Sequence, residues 1–274
     1  HTRYIGDWSS DVCSSDLLYV IKIGGNIVDN PALLSTFLQS FAALKDPAII
    51  VHGGGKMATQ IASSMGVEQT MIEGRRVTDE ATLKIVTMVY AGYINKNIVA
   101  QLQALGVSAI GLSGVDGNLI KAHKRIHSSI DYGYVGDIDK VNIETLVSLL
   151  TQHHPLVIAP ITHDGQGQLL NTNADTIAQS LATALAALYK VHLIYGFEKE
   201  GVLTNIQDPN SVIAKIDPTL YSSLKSQKLI FEGMIPKIDN AYEALEKGVT
   251  SVVIGKAEKI KELINGSSGT TITL

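Results

Sequence analysis

The sequence predicts an α/β fold built on a largely parallel sheet, and two observations support this prediction. Short apolar runs alternate with longer stretches of helical period along the chain. The apolar runs have no polar face and end in glycine or polar residues, which is typical of parallel strands covered on both sides. The strands are expected at 18–23, 48–52, 108–112, 156–160, 192–195 and 251–254.

Stretches with helical period occupy the segments between these strands. Pro31 suits the first turn of a helix, and Asn173-Ala-Asp-Thr is typical of a helix start. The helices are expected at 31–44, 56–65, 79–105, 143–152, 174–187, 218–226, 235–247 and 257–264. Two further stretches, 68–77 and 118–139, lack helical period and are predicted to be β-hairpins that cover a substrate.

Composition excludes several classes of function. The formal net charge of −4 gives no reason to expect nucleic acid or an anionic membrane as a partner. No apolar run approaches the roughly 18 residues that a membrane span requires. The single cysteine excludes an internal disulfide framework and is consistent with a reducing cytoplasm. Five histidines lack the spacing of metal ligands, so none of them is predicted to bind a metal: His123, His127, His153, His154 and His163.

The first 17 residues differ from the rest of the chain. They are rich in serine and aspartate, have neither helical nor strand period, and contain Trp8 and Cys13. We interpret residues 1–17 as a non-native or disordered tail and residues 18–274 as one domain. Its halves, about 18–170 and 171–274, are expected to form two lobes that share one sheet.

Two glycine-rich loops follow predicted strands, which indicates a site for an anion. The first is Lys22-Ile-Gly24-Gly25, and the second is His52-Gly53-Gly54-Gly55 at the start of a helix. Glycines let backbone N–H groups approach an anion, and a helix N-terminus favours negative charge. Neither loop has the spacing of a dinucleotide-binding motif or a P-loop. A lysine in an apolar strand must be paired or functional, or must reach solvent from an edge strand; His52 is interpreted as a packed core histidine.

Three other motifs have both a structural and a functional interpretation. Arg75 and Arg76 are either a fork for a carboxylate or a solvated surface pair. Asn171-Thr-Asn173-Ala-Asp175 either caps a helix or also holds a substrate and orients a lysine. Gly233-Met234-Ile-Pro-Lys237 allows a nucleotide to approach the backbone closely, although a helical lysine is usually solvated.

In their order along the chain, these motifs resemble the amino-acid kinase family, and within it the N-acetylglutamate kinases. The resemblance extends from about residue 18 to residue 274. It rests on Lys-x-Gly-Gly, His-Gly-Gly-Gly, Arg-Val-Thr, Asn-x-Asn-Ala-Asp and Gly-Met-x-x-Lys. It implies a three-layer αβα sandwich around a mainly parallel eight-stranded sheet. The lobe 18–170 would bind the acyl amino acid, and the lobe 171–274 would bind ATP.

The resemblance also implies an activity, with ATP and Mg²⁺ as cofactors. The expected reaction is phosphorylation of the γ-carboxylate of N-acetyl-L-glutamate in arginine biosynthesis. N-succinyl-L-glutamate as substrate, or a non-catalytic nucleotide or amino-acid sensor on the same fold, are the alternatives. Glutamate 5-kinase, aspartate kinase, carbamate kinase and uridylate kinase share the fold, but Arg-Val-Thr and Asn-x-Asn-Ala-Asp favour the acylglutamate enzyme.

The resemblance further implies a role for each motif residue. The catalytic residues are the two lysines that stabilise the transferred phosphoryl group and the carboxylate that orients them: Lys22, Lys237 and Asp175. The phosphate-binding residues are Gly24, Gly25 and Gly54, and the substrate-binding residues are Gly54, Gly55, Arg76 and Asn171. The nucleotide-binding residues are Glu198, Lys199, Gly201, Leu203, Leu229, Ile230, Phe231, Gly233 and Met234.

The length of one segment and the start of the chain also bear on the comparison with this family. Segment 195–203 is one residue longer than the usual family sequence, which leaves the adenine contacts open. We also expect a cytoplasmic homodimer that is insensitive to arginine, because the extra N-terminal helix of arginine-inhibited relatives is not found before the first strand. The apolar face of helix 79–105 is the candidate dimer interface, unless it packs on the sheet: Leu83, Val86, Tyr90, Ile94 and Ile98.

Overall fold

A computed structural model describes residues 17–72, 75–152, 154–205, 207–227, 229–230 and 234–274. The strands are β1 (Leu17–Ile23), β2 (Ala48–His52), β3 (Met71–Ile72), β4 (Arg75–Arg76), β5 (Ile110–Ser113), β6 (Ile120–Lys124), β7 (Gly136–Val141), β8 (Leu156–Ala159), β9 (Ile161–His163), β10 (Leu169–Asn171), β11 (Lys190–Phe197), β12 (Lys215–Ile216), β13 (Ser251–Lys256) and β14 (Thr270–Ile272). The α-helices are α1 (Gly25–Val28), α2 (Pro31–Ala42), α3 (Gly55–Ser64), α4 (Glu80–Thr87), α5 (Asn95–Ala104), α6 (Ile143–Leu150), α7 (Ala174–Leu185), α8 (Pro218–Ser226), α9 (Ile235–Glu246) and α10 (Ile260–Ile264).

The main sheet has eight strands in the order β12-β14-β13-β11-β1-β2-β8-β5. All neighbouring strands are parallel except β13 and β14, which pair antiparallel. Strand β1 lies between β11 and β2, with Lys22 opposite Tyr195 on one side and Val51 on the other. The predicted mainly parallel eight-stranded sheet is therefore confirmed.

The sheet has a hydrophobic core on each face, and the alternation of side chains along its strands assigns residues to them. Val20 and Ile49 belong to the core beneath α7 and α9, whereas their chain neighbours Ile21 and Ile50 belong to the core beneath α2 and α5. All four side chains are fully buried. Strands buried on both faces need helices on both sides, which confirms the three-layer sandwich.

The predicted helix 79–105 is interrupted by a π-helical segment. Asp79 caps α4 by accepting from the Thr82 N–H at 2.7 Å, but Met88–Ile94 is a seven-residue π-helix between α4 and α5. The prediction of one continuous α-helix is wrong in its middle, because a wider turn leaves the spacing of apolar residues almost unchanged.

The candidate dimer interface on this helix is also wrong. Its five apolar residues are at most 6% exposed and belong to the core beneath α2, so this face packs on the sheet. The exposed apolar residues of the π-helical segment are different ones, Met88 at 54% and Tyr93 at 61%.

Both predicted hairpins are present. Strands β3 and β4 pair antiparallel, and so do β6 and β7. The second pair belongs to a four-stranded sheet of order β10-β9-β6-β7, which the sequence analysis missed because β9 and β10 have only three residues each. The very short α1, β12 and β14 were missed for the same reason.

Some sequence predictions concern residues at or beyond the limits of the described ranges. Strand β1 begins at Leu17, one residue earlier than expected. Residues 1–16, with Trp8 and Cys13, lie outside the described residues, as does His153. Of the helices in the described ranges, not one combines the length and apolar character that crossing a bilayer demands.

Candidate active site

The two glycine loops meet at the carboxyl edge of β1 and β2. The Gly24 N–H donates to the Gly196 carbonyl at 3.1 Å, and the Gly53 N–H donates to the Ile23 carbonyl at 3.1 Å. Each loop is thus tied to the strand beside it. Because β1 and β2 are parallel neighbours, their following loops lie side by side.

The absence of side chains brings the backbone amides of these loops together. A methyl group on Gly25 would lie 3.6 Å from the Gly55 nitrogen and 3.7 Å from the Gly54 nitrogen. A methyl group on Gly54, whose φ is +153°, would lie only 2.2 Å from Cδ1 of Ile94. Helix α3 begins at Gly55 without a side-chain cap, so its first N–H groups are available to an anion.

Two lysines converge on one carboxylate beside the first glycine loop. Lys22 Nζ lies 2.8 Å from Oδ1 of Asp175, and Lys237 binds the other oxygen, Oδ2. The three side chains are 12%, 21% and 15% exposed for Lys22, Lys237 and Asp175. Asp175 lies in the first turn of α7, and the Asn173 side chain caps that helix by accepting from the Asp175 and Thr176 N–H groups. The predicted helix cap is therefore confirmed. Lys22 and Lys237, which are far apart in the sequence, share the Asp175 carboxylate as their acceptor.

Burial and charge act against each other in this cluster. Burial lowers the pKa of Lys22, and the charge of Lys237 lowers it further, while attraction to Asp175 opposes both effects. Burial alone would raise the pKa of Asp175, but the two lysines together hold it well below its usual range. Asp175 is therefore ionised at neutral pH, and Lys22 is easier to deprotonate than a solvated lysine.

A cavity of about 690 Å³ extends from this cluster along the β11 side of the sheet. Seven of the nine predicted nucleotide-binding residues line it: Glu198, Lys199, Gly201, Leu203, Leu229, Ile230 and Met234. Phe231 and Gly233 lie outside the described residues. Lys22, Gly24, Gly25, Gly55 and Lys237 line the same cavity. Its volume is within the range of small-molecule sites.

Ion pairs connect the long segment 195–203 to the end of β13. The Glu200 carboxylate lies 2.8 Å from Lys259 Nζ and 3.8 Å from Lys256 Nζ. These side chains are about one-third exposed or more, so the pairs restrain the segment only weakly.

A second cavity of about 200 Å³ lies on the other side of the second glycine loop. All four predicted substrate-binding residues line it: Gly54, Gly55, Arg76 and Asn171. Arg76 is only 8% exposed and donates to the Gly55 carbonyl at 2.8 Å and to Thr59 Oγ1 at 3.0 Å. The alternative of a solvated arginine is thus wrong for Arg76. The two cavities share Gly55 and therefore adjoin at the glycine loops.

The structure places further polar residues at these cavities that the sequence analysis did not select. Arg125, directly after β6, lines the smaller cavity, pairs with Asp137 and lies 5.7 Å from the Tyr132 ring centre. Lys56 lines the larger cavity. A basic run before Tyr132-Gly-Tyr was the only signal for Arg125, and it does not distinguish a surface hairpin from a cavity wall.

His52 is fully buried beneath the second loop, which confirms its interpretation as a core histidine. Burial lowers its pKa to about 4, so it is neutral at neutral pH. Within the described ranges, no three His, Cys, Asp or Glu side chains form a group suited to a metal ion.

The fold and the site together define a phosphotransferase scaffold, and sequence comparison assigns the family. The amino acid kinase family profile matches residues 18–256. The chain belongs to the amino acid kinase family.

Relatives with about half their residues identical carry one name. The chain is 54% identical to "Acetylglutamate kinase" of Cytophaga hutchinsonii over 249 residues, which cover 90% of this chain and 94% of the relative. It is 51% identical to "Acetylglutamate kinase" of Bacteroides thetaiotaomicron, with coverage of 89% and 95%.

Solved structures agree on the fold. A Streptococcus mutans protein superposes with a TM-score of 0.74 at 28% identity, covering 94% of this chain and 98% of that one. N-acetylglutamate synthase from Neisseria gonorrhoeae superposes with a TM-score of 0.79 at 22% identity. The match covers 94% of this chain but only 59% of the synthase. At this identity and coverage, it supports the fold alone.

Proposed function

We propose that this protein transfers the γ-phosphoryl group of ATP to the γ-carboxylate of N-acetyl-L-glutamate. The product is N-acetyl-L-glutamyl 5-phosphate, and the reaction belongs to arginine biosynthesis. The observation that carries the proposal is the convergence of Lys22, Lys237 and Asp175 where two cavities meet at Gly55. The names of the relatives at 54% and 51% identity support the acyl amino acid.

The chemistry of the reaction fits a site without a general base. A γ-carboxylate has an ordinary pKa of about 4.3 and is already an ionised nucleophile at neutral pH. The obstacle is repulsion between this anion and the phosphates of ATP. Positively charged side chains and backbone N–H groups that surround the transferred group lower this barrier by positioning and charge stabilisation.

The side chains at the junction would divide this work. Lys22 and Lys237 would stabilise the phosphoryl group in transit, from opposite sides of Asp175, which fixes the position of both ammonium groups. The N–H groups of Gly25 and Gly54 would donate to the same group. The Gly54 nitrogen lies 3.7 Å from the point where a methyl group on Gly25 would be, so the two loops present their amides close together, which supports this role.

The smaller cavity is suited to the acyl amino acid. Arg76 would hold the α-carboxylate with Asn171, whose side-chain amide donates to Thr78 Oγ1 at 3.0 Å and is therefore already oriented. Gly55 would allow the substrate to approach the backbone. A guanidinium that is buried and fixed by three protein acceptors loses little further freedom on binding a carboxylate.

The larger cavity is suited to ATP, which would enter as its Mg²⁺ complex. Apolar side chains of Leu203, Leu229, Ile230 and Met234 would face the base, and the first glycine loop would face the phosphates.

The protein is expected to be a cytoplasmic homodimer. Because the core face of helix 79–105 is excluded, its exposed apolar residues Met88, Tyr93 and Leu105 would be available for such an interface.

The test is ATP-dependent acyl-phosphate formation trapped as the hydroxamate. Purified protein is given N-acetyl-L-glutamate, N-succinyl-L-glutamate or free L-glutamate in parallel reactions. We expect the highest kcat/KM with N-acetyl-L-glutamate. A higher value with the succinyl substrate would change the acyl group, and activity only with free glutamate would contradict the proposal. Binding of ATP without turnover on any substrate would instead support a sensor.

Matched lysine variants show whether the turnover comes from the assigned site. Lys237→Gln should lower kcat by at least about 100-fold, the scale of losing one group that stabilises developing charge. Lys247→Gln is the control at the opposite end of helix α9, because Lys247 pairs with Glu243 in an exposed position. Equal activity of the two variants would refute the assignment of Lys237.

A further inference from the structure

His52 lies directly below the second glycine loop, and the proposed reaction gives it no task. Its Nδ1 is 2.9 Å from the carbonyl oxygen of Gly53. A carbonyl oxygen only accepts hydrogen bonds, so Nδ1 carries the proton and donates. Nε2 is then the unprotonated nitrogen of the neutral ring, and it faces Nδ2 of Asn95 at 3.3 Å.

Asn95 is oriented so that it can only donate to His52. Its Nδ2 lies 2.9 Å from the Val157 carbonyl and 3.3 Å from the Leu112 carbonyl, while its Oδ1 accepts from Lys96 Nζ at 3.1 Å. Two carbonyl acceptors and one ammonium donor leave no freedom to flip the amide, and the two hydrogens of Nδ2 are shared among the two carbonyls and Nε2 of His52. The buried Asn95 therefore selects the Nδ1–H tautomer of His52.

The hydrogen bond from His52 determines the direction of a second group. The Gly53–Gly54 peptide is planar and trans, so its carbonyl and its N–H point in opposite directions. With the carbonyl held toward the core, the Gly54 N–H is turned away from the core and toward the loop of Gly25. In the described part of the chain, this N–H has no protein acceptor.

We propose that His52 is a positioning residue: its Nδ1–H bond to Gly53 aims the Gly54 N–H at the phosphoryl group in transit. The proposal rests on the proposed function, which gives the Gly54 N–H its task. His52 acts through the peptide and does not touch the reactants.

The π-helical segment supports the same loop from the other side. Ile94 is its last residue, and Asn95 follows at once. Ile94 Cδ1 fills the space where a Gly54 side chain would be, while Asn95 fixes His52. Two consecutive residues of one helix therefore fix both the position and the direction of the Gly54 peptide, a role in keeping with the frequent occurrence of π-helical turns at functional sites.

The kinetic test compares two substitutions of His52. His52→Leu removes the donor, and we expect kcat to fall by about 10- to 100-fold, less than the loss of a whole oxyanion-type donor. KM for either substrate should change by less than about threefold, because the bond serves the transition state. His52→Asn keeps an amide nitrogen near the Nδ1 position and should restore most of kcat. His154→Leu is the control, since its Nδ1 makes the same kind of bond to the Ser108 carbonyl, at the opposite edge of the sheet.

Nitrogen-15 NMR of the unaltered protein tests the hydrogen bond without turnover. We expect the His52 ring as the Nδ1–H tautomer, and a change of tautomer or protonation in Asn95→Asp, which replaces the donor by an acceptor. The Gly54 amide signal should shift downfield when MgADP and aluminium fluoride are added. That shift should be smaller in folded His52→Leu than in His52→Asn.

The outcomes separate this proposal from the proposed function. An Nε2–H tautomer in the unaltered protein would overturn the proposal, and so would equal kcat values for folded His52→Leu and His52→Asn. If the unaltered protein phosphorylates no acylglutamate, the proposed function fails. The tautomer and the Gly54 shift then still decide whether His52 directs this amide.

Discussion

Asp175→Asn removes the shared acceptor of Lys22 and Lys237 while keeping the shape of the side chain. The native carboxylate lies 2.8 Å from Lys22 Nζ, and its other oxygen binds Lys237. After the substitution, two ammonium groups at most 21% exposed face a neutral amide and each other. The variant therefore measures how much the site depends on this one negative charge.

The magnitude follows from Coulomb's law and the cost of an unpaired charge. At an effective dielectric constant of about 20, two unit charges 2.8 Å apart attract by about 6 kcal/mol before any desolvation is deducted. Breaking a buried pair by removing one partner costs about 3–5 kcal/mol in practice. We expect the free energy of unfolding at pH 7 to fall by about 3 kcal/mol and kcat to fall by at least about 100-fold.

The pH dependence gives the sign of the effect. Asp175 opposes the lowering of the Lys22 pKa, so its removal should move the alkaline decline of kcat to lower pH. Because the folded pKa of Asp175 is depressed, its stabilisation is present above the unfolded value of about 3.9 and is lost as pH falls toward the folded value. The stability difference between the proteins should therefore narrow below about pH 4.

Urea unfolding and pH–rate profiles of both proteins provide the measurement. Glu80→Gln is the control, because it breaks an equally close pair with Lys84 that is exposed; we expect no measurable change in kcat or stability. The reasoning is refuted if Asp175→Asn unfolds at the same urea concentration, or if its alkaline decline stays in place or moves to higher pH.

Three further substitutions test the loops and cavities. Gly54→Ala places a methyl group 2.2 Å from Ile94 Cδ1 and should lower kcat by about 100-fold or more, whereas Gly92→Ala meets open space and should leave kcat within about twofold. Arg76→Lys should raise KM for the acyl substrate by about tenfold or more with a smaller change in kcat, since one ammonium cannot replace a fork; an unchanged KM would contradict its assignment. Glu200→Gln should raise KM for ATP by about two- to fivefold through loss of its exposed pairs, and 1 M salt should do the same to the unaltered protein.

Local sequence signals predicted the regular elements well where one signal dominates. Strand β2 and helix α8 have the expected bounds, because an all-apolar run stops at glycines and because Asp217 and Pro218 define a helix start. The π-helical segment could not be predicted, since its apolar residues keep the spacing of an α-helix. The same residues suggested a dimer interface, because an apolar helix face looks alike whether a sheet or a second subunit covers it.

The order of motifs predicted which residues line the two cavities, but it did not predict their hydrogen bonds. The Asn95–His52 contact joins residues 43 positions apart, and Arg125 lines its cavity next to the antiparallel pair of β6 and β7. Such contacts depend on strand order and register, which no local pattern contains. The pairing of Asp175 with both lysines was expected from the resemblance, although the three residues come from three different elements.

The single backbone position common to both cavities has a consequence for inhibition. Gly55 lies on the wall of each, and the glycine loops between the two cavities follow the hydrogen-bonded neighbouring strands β1 and β2. A molecule that joins an adenosine group to an acylglutamate through a phosphate chain would occupy both cavities at once. Once the first half is bound, binding of the second half is intramolecular. The joined compound should therefore bind more tightly than either half alone. The distance between the two cavities therefore determines the linker length that such a compound needs.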